Sequence, residues 1–216
     1  MEQIKYAVPN EISLSGAAKT AEAWNPSVME ESCHGIQQIS LLTKHLSNRK
    51  IFLLGEVDTV MSDTFVSMML NLTESDEPID IYINSPGGSV SSGLVIYDVI
   101  RSLDGKVPIN IYCIGLAASM AAVILAGGQK GRRYILPHSK CMIHEPLISG
   151  GMGGSASSIK KTAEDILETK AMINELLAKH TGKTTDEIDE ATAFDNFMNA
   201  EKAVEFGLCD EIRSIV

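Results

Sequence analysis

The sequence has few aromatic residues, no excess of cations and no long apolar run. Only 5% of its residues are Phe, Trp or Tyr, so its core must be built from Ile, Leu, Val, Met and Ala. A formal net charge of −10 argues against a nucleic-acid partner, because nothing would neutralise a row of phosphates. The longest apolar run, residues 117–126, is interrupted only by Ser119 and is about half the ~20 residues that a membrane span needs.

Cysteine is also scarce, and the four cysteines lie far apart with no paired spacing: Cys33, Cys113, Cys141 and Cys209. This pattern favours free thiols in a reducing compartment over disulfides or a zinc site, and no metal site is expected. The first 16 residues contain charges and no continuous apolar stretch, which is not typical of a secretory signal. We therefore expect a cytoplasmic protein that does not enter a membrane.

Short apolar runs alternate with segments of helical spacing along most of the chain. Strands are predicted near residues 51–54, 79–83, 109–114, 134–136 and 141–143, and helices near 63–72, 91–103 and 200–206. This alternation predicts an α/β fold with largely parallel strands. At 216 residues and 44% hydrophobic content, one sizeable core is the default.

The two ends of this pattern are distinct. Residues 1–35 mix Ala, Ser, Asn, Pro and charge without periodicity and are interpreted as an irregular N-terminal arm. Helical spacing begins near Ile36, so a single domain is expected over 36–216. Residues 157–180 predict a long amphipathic helix that stops at Gly182, and a helix of this length often projects to meet a neighbour.

Ser119 lies where a predicted strand passes into the apolar helix. A hydroxyl there can simply bond a backbone carbonyl one turn back. At a helix N-terminus, however, free N–H groups favour an anion, as acyl transfer generates. Glycine lies at two strand-to-helix turns, at Gly87-Gly88 and at Gly115 before Ser119, which suit either a tight turn or an oxyanion hole of backbone N–H groups.

A nucleophilic serine needs a base and an acid that orients the base. Of the five histidines, His144 directly follows a core strand, where α/β folds place active-site groups, whereas His180 at a helix end is interpreted as an exposed capping residue. The spacing does not choose an acid among four carboxylates: Asp195, Asp186, Asp189 and Glu190. The residues alone thus indicate a Ser/His/acid hydrolase without fixing the acid.

Five segments, in order, resemble the proteolytic subunit of the Clp protease over roughly residues 50–212. They are residues 51–55 (IFLLG), 82–88 (YINSPGG), 115–121 (GLAASMA), 142–147 (MIHEPL) and 195–198 (DNFM). The resemblance implies an α/β fold of the ClpP/crotonase-like type, a spiral of β-β-α units with a long projecting handle helix at about 157–180.

The resemblance also implies a serine endopeptidase and assigns its residues. Ser119 would be the nucleophile, His144 the general base and Asp195 the acid that orients it. The backbone N–H groups of Gly88 and Met120 would form the oxyanion hole. An extended substrate would pair along four further positions: Gly87, Ser89, Val90 and Leu147.

The implied assembly is two stacked seven-membered rings of this chain around a closed chamber. A partner AAA+ ATPase of the Clp type would feed unfolded protein into it, so the chain itself would need no cofactor and ATP would be used only by the partner. Some positions differ from the family pattern: Leu116 and Glu145 replace the usual Gln, Ala193-Phe194 replaces an Asp-Arg pair, and residues 1–48 hardly match.

Two other hypotheses remain open at this stage. One is a catalytically silent ring subunit of a mixed assembly, which the Ala193-Phe194 difference motivates. The other is a crotonase-like acyl-CoA enzyme, which would use the paired N–H groups on a thioester enolate. Retention of Ser119, His144 and Asp195 argues against the first, and the lack of a paired Glu at the turns argues against the second.

Overall fold

Strands and helices alternate from Lys50 to Ile212, as the sequence pattern predicts. The structure, a computed structural model, describes residues 5–6, 26–32, 35–148 and 153–215. The chain divides into two compact units, residues 1–50 and 51–216. Each unit is described by itself below.

The first unit contains a three-stranded antiparallel sheet, and its strands are β1 (Lys5–Tyr6), β2 (Ser27–Ser32) and β3 (Gly35–Ser40). The helix α1 (Leu41–Ser47) follows, and the Ser40 hydroxyl accepts a hydrogen bond from the Thr43 N–H at its start. The prediction of irregular structure up to residue 35 is therefore wrong for residues 27–32. Residues 7–25 of the predicted arm lie outside the described residues.

The helix predicted to begin near Ile36 begins instead at Leu41. Residues 36–40 pair with β2 in register, Val28 opposite Ile39 and Glu31 opposite Ile36. This strand pairing overrides the helical spacing of Ile36 and Ile39, because a neighbouring strand satisfies the backbone N–H and C=O groups. The expectation of one domain over 36–216 stays a prediction.

The second unit is a mixed α/β layer structure. Its strands are β4 (Lys50–Leu54), β5 (Ile79–Ser85), β6 (Ile109–Ala118), β7 (Arg133–Ile135), β8 (Lys140–Ile143), β9 (Asn196–Asn199) and β10 (Glu211–Ile212). Its helices are α2 (Thr59–Leu72), α3 (Val90–Ser102), α4 (Met120–Ala126), α5 (Ala156–Thr181), α6 (Thr185–Thr192) and α7 (Ala200–Phe206). The strand order is β10-β7-β6-β5-β4, with β8 joined to β6 and β9 joined to β8.

The core is built on one face of the central strands. Ile79, Ile81 and Ile83 of β5 are fully buried, and so are Ile109 and Ile111 of β6. The residues between them include Asp80 and Asn110, which are only half-buried, and successive side chains of a strand point to opposite faces of the sheet. Every residue of α4 is also buried, as expected for a helix that is apolar on all sides.

β6 divides its length between two partners, and this division positions the site. Its first half pairs in parallel with β7, Ile111 through Cys113. Its second half pairs in parallel with β8, with Leu116, Ala117 and Ala118 opposite Lys140, Cys141 and Met142. β9 then pairs antiparallel with β8. The strand predicted to end at Ile114 thus continues to Ala118, because β8 provides a second partner.

The long helix α5 closely matches the predicted helix 157–180. Ser155 caps its start, and Gly182, in the left-handed conformation, ends it. No residue before Ile173 is buried, so only its C-terminal part packs on the core, as expected for a projecting helix. Among the described residues, no helix is both long enough and apolar enough to cross a membrane.

A buried ion pair ties the end of the chain to the sheet. The Arg133 side chain is 1% exposed, and its Nη2 lies 2.6 Å from Asp210 Oδ1. The Arg133 Nη1 donates to the carbonyl oxygens of Ala126 and His180. His180 is itself half-buried, its Nε2 is 2.7 Å from the Tyr97 hydroxyl, and burial lowers its pKa to about 4. The interpretation of His180 as an exposed cap is therefore wrong.

Asp210 accepts hydrogen bonds from the Gly131 and Arg133 N–H groups as well as from the guanidinium. Burial by itself would raise the pKa of Asp210, but the hydrogen bonds and charge of Arg133 outweigh it and lower the pKa to about 2. Folding thus stabilises the charged form of the Asp210 carboxylate relative to its neutral form. Its contribution to stability is present above about pH 4 and is lost as the pH falls towards 2.

We expect Asp210→Asn to lower the free energy of unfolding by about 3 kcal/mol at pH 7, since it leaves Arg133 buried without its counter-charge. The loss should shrink as the pH is lowered from 4 to 2, where the native carboxylate also becomes neutral. Urea unfolding across this pH range measures both effects. The control is Asp104→Asn, whose carboxylate pairs with Arg101 while 45% exposed and should cost less than about 1 kcal/mol. Equal losses in the two variants at pH 7 would contradict the prediction.

Candidate active site

Ser119 connects β6 to α4 in a conformation that is unfavourable for a side chain. Its φ is +54° and its ψ is −126°. Non-glycine residues at positive φ cost roughly 1–3 kcal/mol and cluster at functional sites. The Ser119 N–H donates to the Met142 carbonyl at 2.9 Å, so β8 holds the turn. The hydroxyl makes no capping bond to α4 and remains available for another partner.

That partner is His144. The register places Ala118 opposite Met142, so Ser119 and His144 both lie just beyond the last pair of these two strands. The His144 Nε2 is 2.9 Å from the Ser119 Oγ. The His144 side chain is only 15% exposed.

Asp195 completes a hydrogen-bonded chain. β9 runs antiparallel to β8 with Ile143 opposite Asn196, and this register brings the residue before Asn196 beside the residue after Ile143. The Asp195 Oδ1 is 2.9 Å from the His144 Nδ1. The Asp195 side chain is 61% exposed. Of the four acids that the spacing left open, the structure thus brings Asp195 to His144, whereas Asp189 contacts Lys170.

The Gly87-Gly88 turn packs directly against the Ser119 turn. A Cβ atom on Gly87 would lie 2.6 Å from the Ala118 carbonyl oxygen and from the Ser119 Cβ. It would also lie 3.0 Å from the Met120 nitrogen, and its backbone φ is +92°. Gly87 is therefore required both by its conformation and by the close approach of the two turns.

The N–H groups of Gly88 and Met120 are free of backbone partners in the described part of the chain. The Val57 N–H donates to the Gly87 oxygen and the Ser89 N–H donates to the Val57 oxygen, each at 2.8 Å. Neither of these bonds uses the Gly88 N–H. Met120 is the first residue of α4, where an N–H has no partner inside the helix. Two N–H donors in the turns around Ser119 thus have no backbone partner, a pattern that suits a developing anion.

A small, open cavity begins at Ser119 and His144. The other lining residues are mainly apolar: Val90, Met120, Val123, Ile143, Pro146, Ile173 and Leu177. Of these, Ile173 and Leu177 come from α5, so the long helix supplies one wall. Such a cavity accepts an apolar side chain more readily than a charged one.

The other predicted substrate positions have different surroundings. Val90 lines the cavity, whereas Leu147 is 69% exposed and is not part of its lining. The Ser89 N–H is bonded to Val57, and the Ser89 hydroxyl is 3.4 Å from the Ser92 N–H at the start of α3. Ser89 is therefore engaged in holding the turn.

Sequence reasoning missed two contributors to this region. It did not single out α5 as a wall of the cavity, because Ile173 and Leu177 read only as the apolar face of a helix. It also gave Glu145 and Lys170 no role, although the Lys170 Nζ is 3.0 Å from the Glu145 Oε2. A helical spacing of Lys170, Ile173, Asn174 and Leu177 on one face of α5 is the signal that was present.

Among residues 26–32, 35–148 and 153–215, no group of three or more His, Cys, Asp or Glu side chains is placed to hold a metal ion. Cys113, Cys141 and Cys209 are free and buried. Hydrogen bonds of the Cys141 thiol with Cys113 and Cys209, together with burial, raise the pKa of Cys141 well above its usual value. Cys33 lies outside the described residues.

We expect Gly87→Ala to lower the free energy of unfolding by at least about 3 kcal/mol, because the added Cβ would overlap the backbone at Ala118 and Ser119. Gly105→Ala is the matched control. Gly105 also has a positive φ, +75°, but a Cβ there would meet nothing within 4 Å. Gly105→Ala should lower the free energy of unfolding by only about 1 kcal/mol. Urea unfolding compares the two, and similar losses would show that the turns do not pack as described.

The family model described as Clp protease matches residues 33–215, which extends further towards the N-terminus than the five resembling segments did. The matched region contains the whole α/β unit and all three residues of the hydrogen-bonded chain, and the expected fold class is confirmed. Members of this family are peptidases that generally form oligomeric rings. The chain therefore belongs to the Clp protease family.

Proposed function

We propose that the chain is a serine endopeptidase subunit in which Ser119 is the nucleophile, His144 the general base and Asp195 the orienting acid. The observation that carries this proposal is the continuous chain of two hydrogen bonds, each 2.9 Å long, from Asp195 through His144 to Ser119. A nucleophile, a base and an orienting acid in hydrogen-bond contact form the arrangement that acyl transfer requires.

The first chemical step follows from this arrangement. The His144 Nε2 accepts the Ser119 proton as the Oγ attacks the carbonyl carbon of a peptide bond. The imidazolium that forms is stabilised by the Asp195 carboxylate on Nδ1, which also holds the ring in the productive tautomer. His144 then donates the proton to the leaving amine, and a water molecule releases the acyl group by the same steps in reverse.

The negative charge of the tetrahedral intermediate needs donors that are already in place. The N–H groups of Gly88 and Met120 would fill this role, since neither is used by a backbone partner and the two turns lie in contact. Removing one such donor from an oxyanion hole typically costs about 10²–10³ in kcat. The strained conformation of Ser119, with φ of +54°, supports the same role, because such conformations cluster at functional sites.

The cavity beside Ser119 suggests which peptide bonds are cut. We propose that it takes the side chain on the acyl side of the scissile bond, and that this side chain is apolar. Substrates would be unfolded proteins and peptides, since the segment around the bond must lie extended. The proposed assembly is two stacked heptameric rings fed by an AAA+ ATPase of the Clp type, in accord with the ring formation of the family.

The two other hypotheses have less support. A silent subunit has no chemical need for a hydrogen-bonded Ser119, His144 and Asp195. A crotonase-like enzyme would share the paired N–H groups, but the same three side chains would then be incidental. Binding of a CoA ester would revive that hypothesis, whereas an unreactive Ser119 in the assembled protein would favour the silent subunit.

We expect Ser119→Ala to lower kcat for peptide hydrolysis at least about 10³-fold, since members of such a triad act as a unit. Assembly and the free energy of unfolding should stay unchanged, because removing one hydroxyl leaves almost no cavity. A fluorophosphonate should form an adduct on Ser119 of the unmodified protein, located by mass spectrometry of its peptides. Ser102→Ala is the control, as that hydroxyl only bonds the Val99 carbonyl of its own helix. Hydrolysis by Ser119→Ala at the normal rate would refute the assignment.

The lining of the cavity predicts a preference that a peptide series can measure. Peptides with Leu or Met before the scissile bond should have kcat/KM values at least about 10²-fold above those with Asp or Lys, because a charged group would lose its hydration against apolar walls. The peptides should differ only at that position. Equal values for Leu and Asp would exclude the cavity as the site of this side chain.

A further inference from the structure

An ionic bridge spans the two segments that carry His144 and Asp195. The Lys170 Nζ on α5 is 3.0 Å from the Glu145 Oε2 and 2.8 Å from the Asp189 Oδ1. Glu145 directly follows His144, and Asp189 lies in α6, the helix that leads to Asp195. The Lys170 ammonium thus contacts the residue after His144 and the helix before Asp195, but it forms no ion pair with His144 or Asp195 itself.

The bridge lies where the sheet no longer holds these segments together. The β8–β9 ladder ends at the pair Ile143–Asn196. Beyond it, the Glu145 N–H donates to the Thr192 carbonyl at 2.8 Å, and Lys170 joins the same two segments through its two ion pairs. The 2.9 Å contact between the His144 Nδ1 and the Asp195 Oδ1 therefore depends on the spacing of two chain segments outside the ladder.

Lys170 is held in place from the side of α5. Its side chain is 23% exposed, although it carries a full charge. Asn174, one turn further along α5 and buried, donates from its Nδ2 to the same Asp189 Oδ1 at 3.1 Å. The hydrogen bonds to Asp189 and Glu145 raise the pKa of Lys170, so the ammonium stays protonated. Two side chains of α5 thus converge on one carboxylate of α6.

Removing the ammonium would change the forces between the segments. Glu145 Oε2 and Asp189 Oδ1 lie within about 6 Å of each other, since both are within 3.0 Å of the same nitrogen. Without the positive charge, the two carboxylates repel at this distance. That repulsion acts between the segment that follows His144 and the helix that leads to Asp195.

We propose that Lys170 is a positioning residue of the active site, a role that rests on the proposed function. It holds Glu145 and Asp189 together and so aligns His144 with Asp195, and it makes this alignment depend on the position of α5. Partly exposed ion pairs contribute little to overall stability. The role of Lys170 therefore differs from general stabilisation and should appear in catalysis.

The test compares two lysines on the same helix. Lys170→Met should lower kcat for an apolar peptide on the order of 10-fold with KM changed by less than about 2-fold, because misalignment of a base lowers turnover more than binding. Lys161→Met is the matched control. Lys161 pairs with Asp165 within α5 at 2.8 Å, so its loss should leave kcat unchanged. Equal kcat values for the two variants, at equal thermal stability, would overturn the proposal.

Rescue distinguishes positioning from a loss of packing. Lys170→Arg keeps the positive charge between the two carboxylates and should retain kcat within about 2-fold. The double variant Lys170→Met/Glu145→Gln removes the repulsion and should recover most of the kcat lost in Lys170→Met. A double variant as slow as Lys170→Met would show that charge between the segments is not the cause.

A crystal structure of Lys170→Met separates this proposal from the proposed function. The distance between His144 Nδ1 and Asp195 Oδ1 should exceed 3.5 Å, whether or not the protein cuts peptides. An unchanged distance of 2.9 Å would overturn the role of Lys170 even in an active enzyme. Conversely, a lengthened distance in a protein whose Ser119 never reacts with a fluorophosphonate would sustain the positioning role and refute the peptidase assignment.

Discussion

The division of β6 between two partner strands is the constraint on which the site depends. β7 takes its first half and β8 its second half, so β8 ends beside the end of β6. The parallel register then sets Ser119 and His144 next to each other, and the bond from the Ser119 N–H to the Met142 carbonyl locks this pairing. β9, added antiparallel to β8, begins where β8 ends. Three strand ends thus meet at one point, each presenting one polar side chain.

The unfavourable backbone of Ser119 is maintained by what surrounds it. β8 binds its N–H, the fully buried α4 anchors the chain that follows, and Gly87 packs against it so closely that no side chain fits. A conformation that costs roughly 1–3 kcal/mol persists only when several such contacts determine it. The consequence is chemical, because the turn leaves the hydroxyl and the next backbone N–H without local partners.

The structure contains two networks of ion pairs, one largely buried and one partly exposed. Arg133, Asp210 and His180 form a buried network that fixes the end of α5 and the chain after α7 to the sheet. Lys170 lies on the same helix but towards the site, where its partners Glu145 and Asp189 are about half exposed. The buried network concerns the stability of the fold, whereas the exposed one concerns the alignment of two side chains. α5 takes part in both and also lines the cavity beside Ser119.

The local sequence pattern predicted several strands, the long helix and two of the site residues. Apolar runs defined β4, β5 and β8, the spacing and Gly182 defined α5, and the positions of Ser119 and His144 at strand ends identified them as candidates. Other features depended on contacts between distant segments. Residues 36–40 form a strand because β2 pairs with them, and β6 continues to Ala118 because β8 does.

The choice of Asp195 over Asp186, Asp189 and Glu190 required the register between β8 and β9, which no spacing within residues 186–195 encodes. The sequence by itself thus determined which residue types were present and where its elements lie, and the tertiary structure decided which of them meet, because strand register is a property of paired segments.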